Sequence, residues 1–240
     1  SPFFRFLSRS LPLVFGALIV VLEIDSAALA SPRPAYDFDG NQREDITLWN
    51  PSTAVFTVVF QDGSAISFQC GLPGDTPLTG NITSSKKGSA VVWRPKPGND
   101  SSSFFICRPD QAPLEARLGR ADDVPFASED FDGDGKADLA VWRQSTHEWI
   151  KSLSSFSGYL STFVFGEDGD IPTPGDYNGD GISQEAIFRP RTGEWFILNA
   201  NRRSMTIQQW GLPSDTPVPA DYDGDGLTDM AVWRSDNGTW

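Results

Sequence analysis

The stretch Asp130-Phe-Asp132-Gly-Asp134-Gly-Lys136-Ala-Asp138-Leu-Ala-Val-Trp142-Arg143 decides how this chain reads, because it occurs again as Asp221-Tyr-Asp223-Gly-Asp225-Gly-Leu227-Thr-Asp229-Met-Ala-Val-Trp233-Arg234. In both copies an acidic loop spaced by glycines runs straight into a short apolar segment. Weaker copies of the loop start at Asp37 and Asp176, and a copy with no carboxylate at the matching positions starts at Asn81. The five starts are 44, 49, 46 and 45 residues apart. Self-similarity at such a period marks a repeat architecture.

The loop has the chemistry of a hard-cation site. Calcium takes about six to eight oxygens, and a short loop supplies them when alternate residues turn inward. In the third copy Asp130, Asp132 and Asp134 stand at positions 1, 3 and 5, the Lys136 carbonyl at 7 and Asp138 at 9. The fifth copy offers Asp221, Asp223, Asp225, the Leu227 carbonyl and Asp229. The first offers Asp37, Asp39, Asn41, the Arg43 carbonyl and Asp45, with Gln42 where the stronger copies have glycine. The fourth offers Asp176, Asn178, Asp180, the Ile182 carbonyl and Gln184. Its lower charge predicts weaker binding, because ligand charge tunes calcium affinity. The second aligns Asn81, Thr83, Ser85 and Ser89 with the ligand positions and is expected to bind nothing. An EF-hand shares the first half of the pattern but needs a glutamate at position 12 and flanking helices. Position 12 is Val141 or Val232, inside a β-prone run, which excludes it.

The segment after each loop reads as a strand. Asp45–Trp49, Ser89–Trp93, Asp138–Trp142, Gln184–Phe188 and Asp229–Trp233 are short apolar runs ending in an aromatic residue. Polar turns lead to a further strand at Phe104–Ile106, Glu148–Lys151 and Glu194–Leu198, and each repeat then ends near a glycine, as at Gly71, Gly119, Gly166 and Gly211. An Asp-x-Pro linker, at Asp75, Asp123, Asp170 and Asp215, opens the next repeat. Four short strands in about 45 residues describe a β-propeller blade, a sheet that buries its two faces only against neighbouring blades. The expected fold is therefore all-β: a β-propeller of four-stranded antiparallel blades near 35–79, 80–128, 129–174, 175–219 and a partial blade at 220–240. The recurrent Trp and Phe are expected to pack between blades.

The pattern D-x-D-G-D-G-x-x-D-x-A-V-W-R, with Gly-x-Trp and a closing Phe165-Gly166 or Trp210-Gly211, resembles the FG-GAP or VCBS-like repeats of bacterial exported proteins, which are related to the propeller of integrin α subunits. The resemblance covers roughly 35–240. It implies calcium in the loop between the first and second strands, and a role in recognition or adhesion. About four and a half repeats are present, the chain begins without Met, and Trp240 falls inside a repeat. The expectation is a fragment forming a partial ring, unless five blades close.

Arg5 and Arg9 precede the apolar run Leu11–Leu22, and Ala28-Leu-Ala30 supplies a small-x-small cleavage signal. Residues 1–30 thus read as a secretory signal peptide, with 31–240 exported to the outside or the cell surface and no membrane span after cleavage. The net charge of −13 excludes a nucleic-acid partner, which needs a basic face. Cys70 and Cys107 either pair, in an oxidising compartment, or lie as two small buried residues. The single histidine, His147, has no partner motif, and no catalytic constellation is recognisable, so no enzyme is expected. The reading is a calcium-binding recognition module for a protein or glycan. The alternatives are an accessory repeat domain of a secreted enzyme, or a carbohydrate-binding or polysaccharide-cleaving propeller.

Overall fold

The structure is a computed structural model that describes residues 36–41, 43–83, 87–98, 101–108, 111–155, 159–199 and 202–240. The predicted leader, Gln42 and Ser85 lie outside the described residues.

The chain is all-β, with no helix among the described residues. Nothing described is a helix long and apolar enough to cross a membrane. The first sheet holds β1 (Ile46–Asn50), β2 (Val55–Val59) and β3 (Ala65–Gln69). The second holds β4 (Thr76–Gly80), β5 (Ser89–Arg94), β6 (Ser103–Arg108) and β7 (Gln111–Arg117). The third holds β8 (Val124–Phe126), β9 (Leu139–Arg143), β10 (Glu148–Ser152) and β11 (Leu160–Val164). The fourth holds β12 (Ile171–Pro172), β13 (Ala186–Arg189), β14 (Glu194–Leu198) and β15 (Met205–Gln209). The fifth pairs β16 (Thr216–Pro217) with β17 (Val232–Trp233). Every pairing is antiparallel and joins strands adjacent in sequence. The Asp-x-Pro segments are therefore not linkers: Pro77, Pro125, Pro172 and Pro217 lie in the leading strand of their sheets. A leading strand pairs on one side only, so a missing N–H is tolerated there. The described residues form a succession of sheets and not a closed ring.

The strand sequences follow from this stacking. In β9, Leu139, Ala140, Val141 and Trp142 are all buried, because both faces of the sheet are covered. Such strands read as continuous apolar runs, where a half-covered sheet alternates. The last strands β3, β7, β11 and β15 are largely exposed. Apolar clusters join each sheet to the next. Trp49 and Phe56 pack with Ala90 and Val92, Trp93 and Phe104 with Val141 and Ile150, Trp142 and Trp149 with Ile187, and Phe188 and Trp195 with Val232. The indole N–H groups of Trp142 and Trp149 both donate to the Phe165 carbonyl at 3.2 Å, and that of Trp195 donates to Trp210 O at 2.7 Å. The aromatic residues thus bury their area without stranding a donor.

A polar device repeats beside them. Asp75, Asp123, Asp170 and Asp215 each hold an arginine two-pronged: Arg94, Arg143, Arg189 and Arg234, at 2.7–3.0 Å. The same carboxylates accept the N–H of Leu72, Arg120, Glu167 and Leu212, which closes the turn into the leading strand. Fork-to-fork pairing of this kind fixes geometry as well as adding energy. Cys70 and Cys107 form a disulfide between the first and second sheets, with Cα atoms 5.7 Å apart.

Candidate metal centres

Loops three, four and five lie between the first and second strands of their sheets, loop one precedes β1, and each is wound by its own side chains. The position-1 carboxylate draws in the backbone of positions 4 and 6: Gly133 and Gly135 N–H reach Asp130 at 2.6 and 2.7 Å, and Gly224 and Gly226 N–H reach Asp221 at 2.7 and 2.9 Å. Those glycines sit at φ between +77° and +88°, where a side chain is strained. Positions 3 and 5 each accept the N–H two residues on, as Asp134 N–H to Asp132 at 3.1 Å and Lys136 N–H to Asp134 at 2.9 Å. Position 9 reaches back to position 2. Phe38 N–H donates to Asp45 Oδ2, Phe131 N–H to Asp138 Oδ2 and Tyr222 N–H to Asp229 Oδ2, at 2.8–2.9 Å.

This winding gathers negative charge. Carboxylate oxygens of Asp37, Asp39 and Asp45 lie within 4.8 Å of one another, as do those of Asp130, Asp132 and Asp138, and those of Asp221, Asp223 and Asp225. Asp229 stands outside its group of three, and Asp134 is drawn instead to Lys136 Nζ at 2.5 Å and Ser154 Oγ at 2.8 Å. Asn41, and the carbonyls of Arg43, Lys136, Ile182 and Leu227, belong to the same windings at the positions assigned to them.

The charge is costly where it is buried. Burial pushes Asp138 up to about 6, with Asp132 and Asp130 adding repulsion against the N–H groups of Ser154 and Phe131. Burial also raises Asp130 and Asp45. Asp45 is 3 % exposed, and its Oδ1 is a buried acceptor with no hydrogen-bond partner. An all-oxygen donor set with a buried orphan acceptor and crowded carboxylates fits a hard divalent cation.

The other two loops satisfy themselves. In loop four Gln184 Oε1 takes the Tyr177 N–H at 2.7 Å, as the aspartates do elsewhere. Its Nε2 then donates to Asn178 Oδ1 at 3.3 Å and to Ile182 O at 2.5 Å, two of the oxygens assigned to the cation. Asp176 and Asp180 remain, accepting Gly179, Gly181 and Ile182 N–H at 2.8–2.9 Å. In loop two the Asn81 amide, in the orientation that satisfies both its ends, donates to Thr83 O at 3.0 Å and Lys87 O at 3.2 Å. An amide nitrogen does in these loops what a cation would do in the others.

Ser154 and Ser155, after β10, are residues the sequence did not single out. Ser154 N–H reaches Asp138 Oδ1 at 2.7 Å and the Ser155 hydroxyl reaches Asp132. Lys151, 1 % exposed, lies 4.5 Å from the centre of the Phe131 ring and pairs with Glu185 of the next repeat, which also takes Arg202 at 2.9 Å. Burial pulls the Lys151 ammonium down, opposed by Glu185. Nothing local in the sequence marks these partners, since they come from 16 to 34 residues away. His147 sits at φ 57° with Nε2 3.0 Å from Asp168.

No family model and no curated protein matches the chain. Three solved structures are similar. A protein of unknown function from Bacteroides caccae is 10 % identical over 80 % of this chain and 68 % of its own, at a TM-score of 0.48. A streptogramin B lyase is 11 % identical over 85 % and 61 %, at 0.48. Virginiamycin B lyase from Staphylococcus aureus, in selenomethionine form, is 11 % identical over 84 % and 63 %, at 0.47. The chain thus spans 61–68 % of the length of these structures. None of them is described as an FG-GAP or VCBS repeat protein. Two are lyases by name, which corrects the expectation that the chain is no enzyme: the lack of a familiar motif does not exclude catalysis. At this identity and TM-score the likeness carries no reaction, substrate or residue to this chain.

Proposed function

We propose that this chain is an exported, calcium-stabilised β-propeller module of the FG-GAP or VCBS type whose role is recognition of a protein or glycan. The observation that carries the reading is the gathering of carboxylate oxygens within 4.8 Å in loops one, three and five, at the joints between successive sheets. The succession of sheets, each packed on the next through a Trp- and Phe-rich cluster, is what blades around an axis require. Calcium would bring the charge that cancels the crowded carboxylates. The chain's own residues do the rest: position 1 winds the loop, position 9 ties its end to position 2, and the strands on either side are held in register.

Recognition is supported by aromatic side chains left in solvent. Trp210 is 54 % exposed and Tyr159 62 %. Such side chains offer large contact area with little entropy to lose. Calorimetric titration tests the metal reading. The wild-type chain is expected to take up calcium, and Asp132→Ala and Asp223→Ala are each expected to lose one site. Unchanged stoichiometry in both variants overturns it.

A further inference from the structure

The first sheet lacks a strand that the other four have. Sheets two to five each begin with a leading strand, β4, β8, β12 or β16, paired with the strand after the loop. The first begins with β1, which is itself the strand after a loop, so among the described residues one edge of β1 is open. An open edge leaves backbone N–H and C=O groups without ladder partners. A cavity of about 210 Å³ lies beside β1, lined by Thr47, Trp49 and Phe56 of the first sheet, Leu78 of β4 and Phe126 of β8. The Thr47 hydroxyl is buried with no hydrogen-bond partner. Trp49 and Phe56 pair across the first sheet as Trp142 and Trp149 do across the third, but in the third the leading strand lays Phe126 on Trp149, with ring centres 5.7 Å apart.

The chain enters this place at Tyr36. That residue lines the cavity, and its carbonyl accepts the Asp45 N–H at 3.0 Å. Position 9 makes the same bond to the residue before the loop in three other repeats: Asp138 to Glu129 at 2.6 Å, Gln184 to Gly175 at 2.8 Å and Asp229 to Ala220 at 2.8 Å. In those repeats the residues a little ahead of that point form the leading strand. Ahead of Tyr36 the sequence is Ser31-Pro32-Arg33-Pro34-Ala35.

We propose that residues 31–35 occupy the open edge of β1 and complete the first sheet, with Pro32 opposite Leu48 and Arg33 opposite Thr47. The inference rests on the strand pairings and stands apart from the metal reading. The prolines fix the register. Pro77, Pro125, Pro172 and Pro217 face Val92, Val141, Ile187 and Val232, which all hold position 12 counted from the start of the loop, and Leu48 holds that position in β1. A direct count back from the loop, as in sheets four and five, would set Pro34 against Thr47. There Thr173 and Val218 donate their N–H to Ala186 O and Ala231 O at 2.8 Å, and proline has none to give. The count of the third sheet, with one residue more between strand and loop, sets Pro32 against Leu48 instead. The Asp–Arg fork agrees. Its Asp stands two residues before the proline and its Arg at position 14, and in the first repeat these places hold Ala30 and Asn50, so both halves are missing together.

Residue-resolved amide hydrogen exchange on the full chain tests this. The Asp45 N–H points to Tyr36, and N–H directions alternate along a strand, so the Thr47 and Trp49 N–H groups point to the open edge. Their amides are expected to be protected to within about tenfold of those of Ala186 and Phe188, which hold the same places beside β12. Arg33→Pro, which removes the N–H opposite Thr47, is expected to cut Thr47 protection at least tenfold. Ala186 and Phe188 are expected to keep theirs, which shows that the fold stands. Pro34→Ala is expected to leave Thr47 protection unchanged; a rise restores the direct count and overturns the register. Thr47 and Trp49 amides that exchange freely in the full chain overturn the proposal. So does protection that falls on dilution, which assigns the edge to a second copy. Protection indifferent to Arg33→Pro assigns the edge to another segment and overturns it too.

Discussion

Stripped of calcium, the protein is expected to lose stability as pH rises, the reverse of the usual behaviour of paired carboxylates. The cause is Asp138, which is 1 % exposed and whose carboxyl is held at about 6 against an ordinary 3.8. The folded state binds this proton more tightly than the unfolded chain does. The stabilisation is fully present below the unfolded value and is lost as pH climbs through about 6. The full loss is about 3 kcal/mol, of which about 1.4 kcal/mol falls between about pH 5 and about pH 7.5. For a domain of this size that is about 3–6 °C in Tm. Asp130 and Asp45 are shifted the same way and add to the slope. Burial works to raise Asp134 too, but Lys136 and Ser154 hold it below its ordinary 3.8, so it acts outside this window. Calcium reverses the sign, because it binds the deprotonated carboxylate. A hundredfold excess over Kd stabilises the native state by about 2.7 kcal/mol. The assay is thermal melting of metal-stripped protein across this pH range, with and without added calcium, beside Asp138→Ala. That variant is less stable in absolute terms, since Phe131 and Ser154 N–H lose their acceptor, but its slope should be flatter. A metal-stripped Tm that climbs with pH, or an Asp138→Ala slope equal to wild type, refutes the reasoning.

The same loops give two more expected outcomes. Gln184→Asp removes the amide that occupies the centre of loop four and adds a third carboxylate to Asp176 and Asp180, so calorimetry should count one more calcium than wild type. Chelation should increase protease cleavage within 130–138 and 221–229 and change cleavage within 81–89 much less, read by mass spectrometry of the fragments.

The repeat, the strands after each loop and the packing role of the aromatic residues were legible because they are local. Loop and strand lie within a few residues of each other, and a strand buried on both faces leaves an unbroken apolar run such as Leu139–Trp142. The Asp-x-Pro segments were misread as linkers because proline argues against a strand, and only the pairing of Pro77 with Val92 and Pro125 with Val141 shows that they lead their sheets. As a result the sheets begin at Thr76, Val124, Ile171 and Thr216, ahead of boundaries drawn on the loops. Loop four counted as a weak site on charge alone. That count missed that Gln184 has a donor as well as an acceptor, which is a matter of geometry. The disulfide could not be read from two cysteines 37 residues apart, because pairing depends on how two sheets stack.

The five loops meet one physical demand in two ways. Each winds a chain so that several oxygens point at a common centre, and that centre has to hold something positive or something that donates. In loop four the Gln184 amide nitrogen donates to Asn178 Oδ1 and Ile182 O, and in loop two the Asn81 amide nitrogen donates to Thr83 O and Lys87 O. In loops one, three and five position 9 is an aspartate, which accepts but cannot donate. The same hydrogen bond back to position 2 is made, yet its second oxygen is left to a neighbour, as with Ser154 on Asp138, or to nothing, as with Asp45. In loop four the difference from the acidic loops turns on position 9, where Gln184 replaces an aspartate, and in loop two it turns on position 1, where Asn81 does. Backbone hydrogen bonds join successive loops, from Gly88 to Asp37, Ala137 to Asn81, Ser183 to Asp130 and Thr228 to Asp176, so each acidic loop is tied to loop two or loop four. Chelation is therefore expected to loosen single loops and leave the stack of sheets standing, read by protease cleavage confined to the acidic loops.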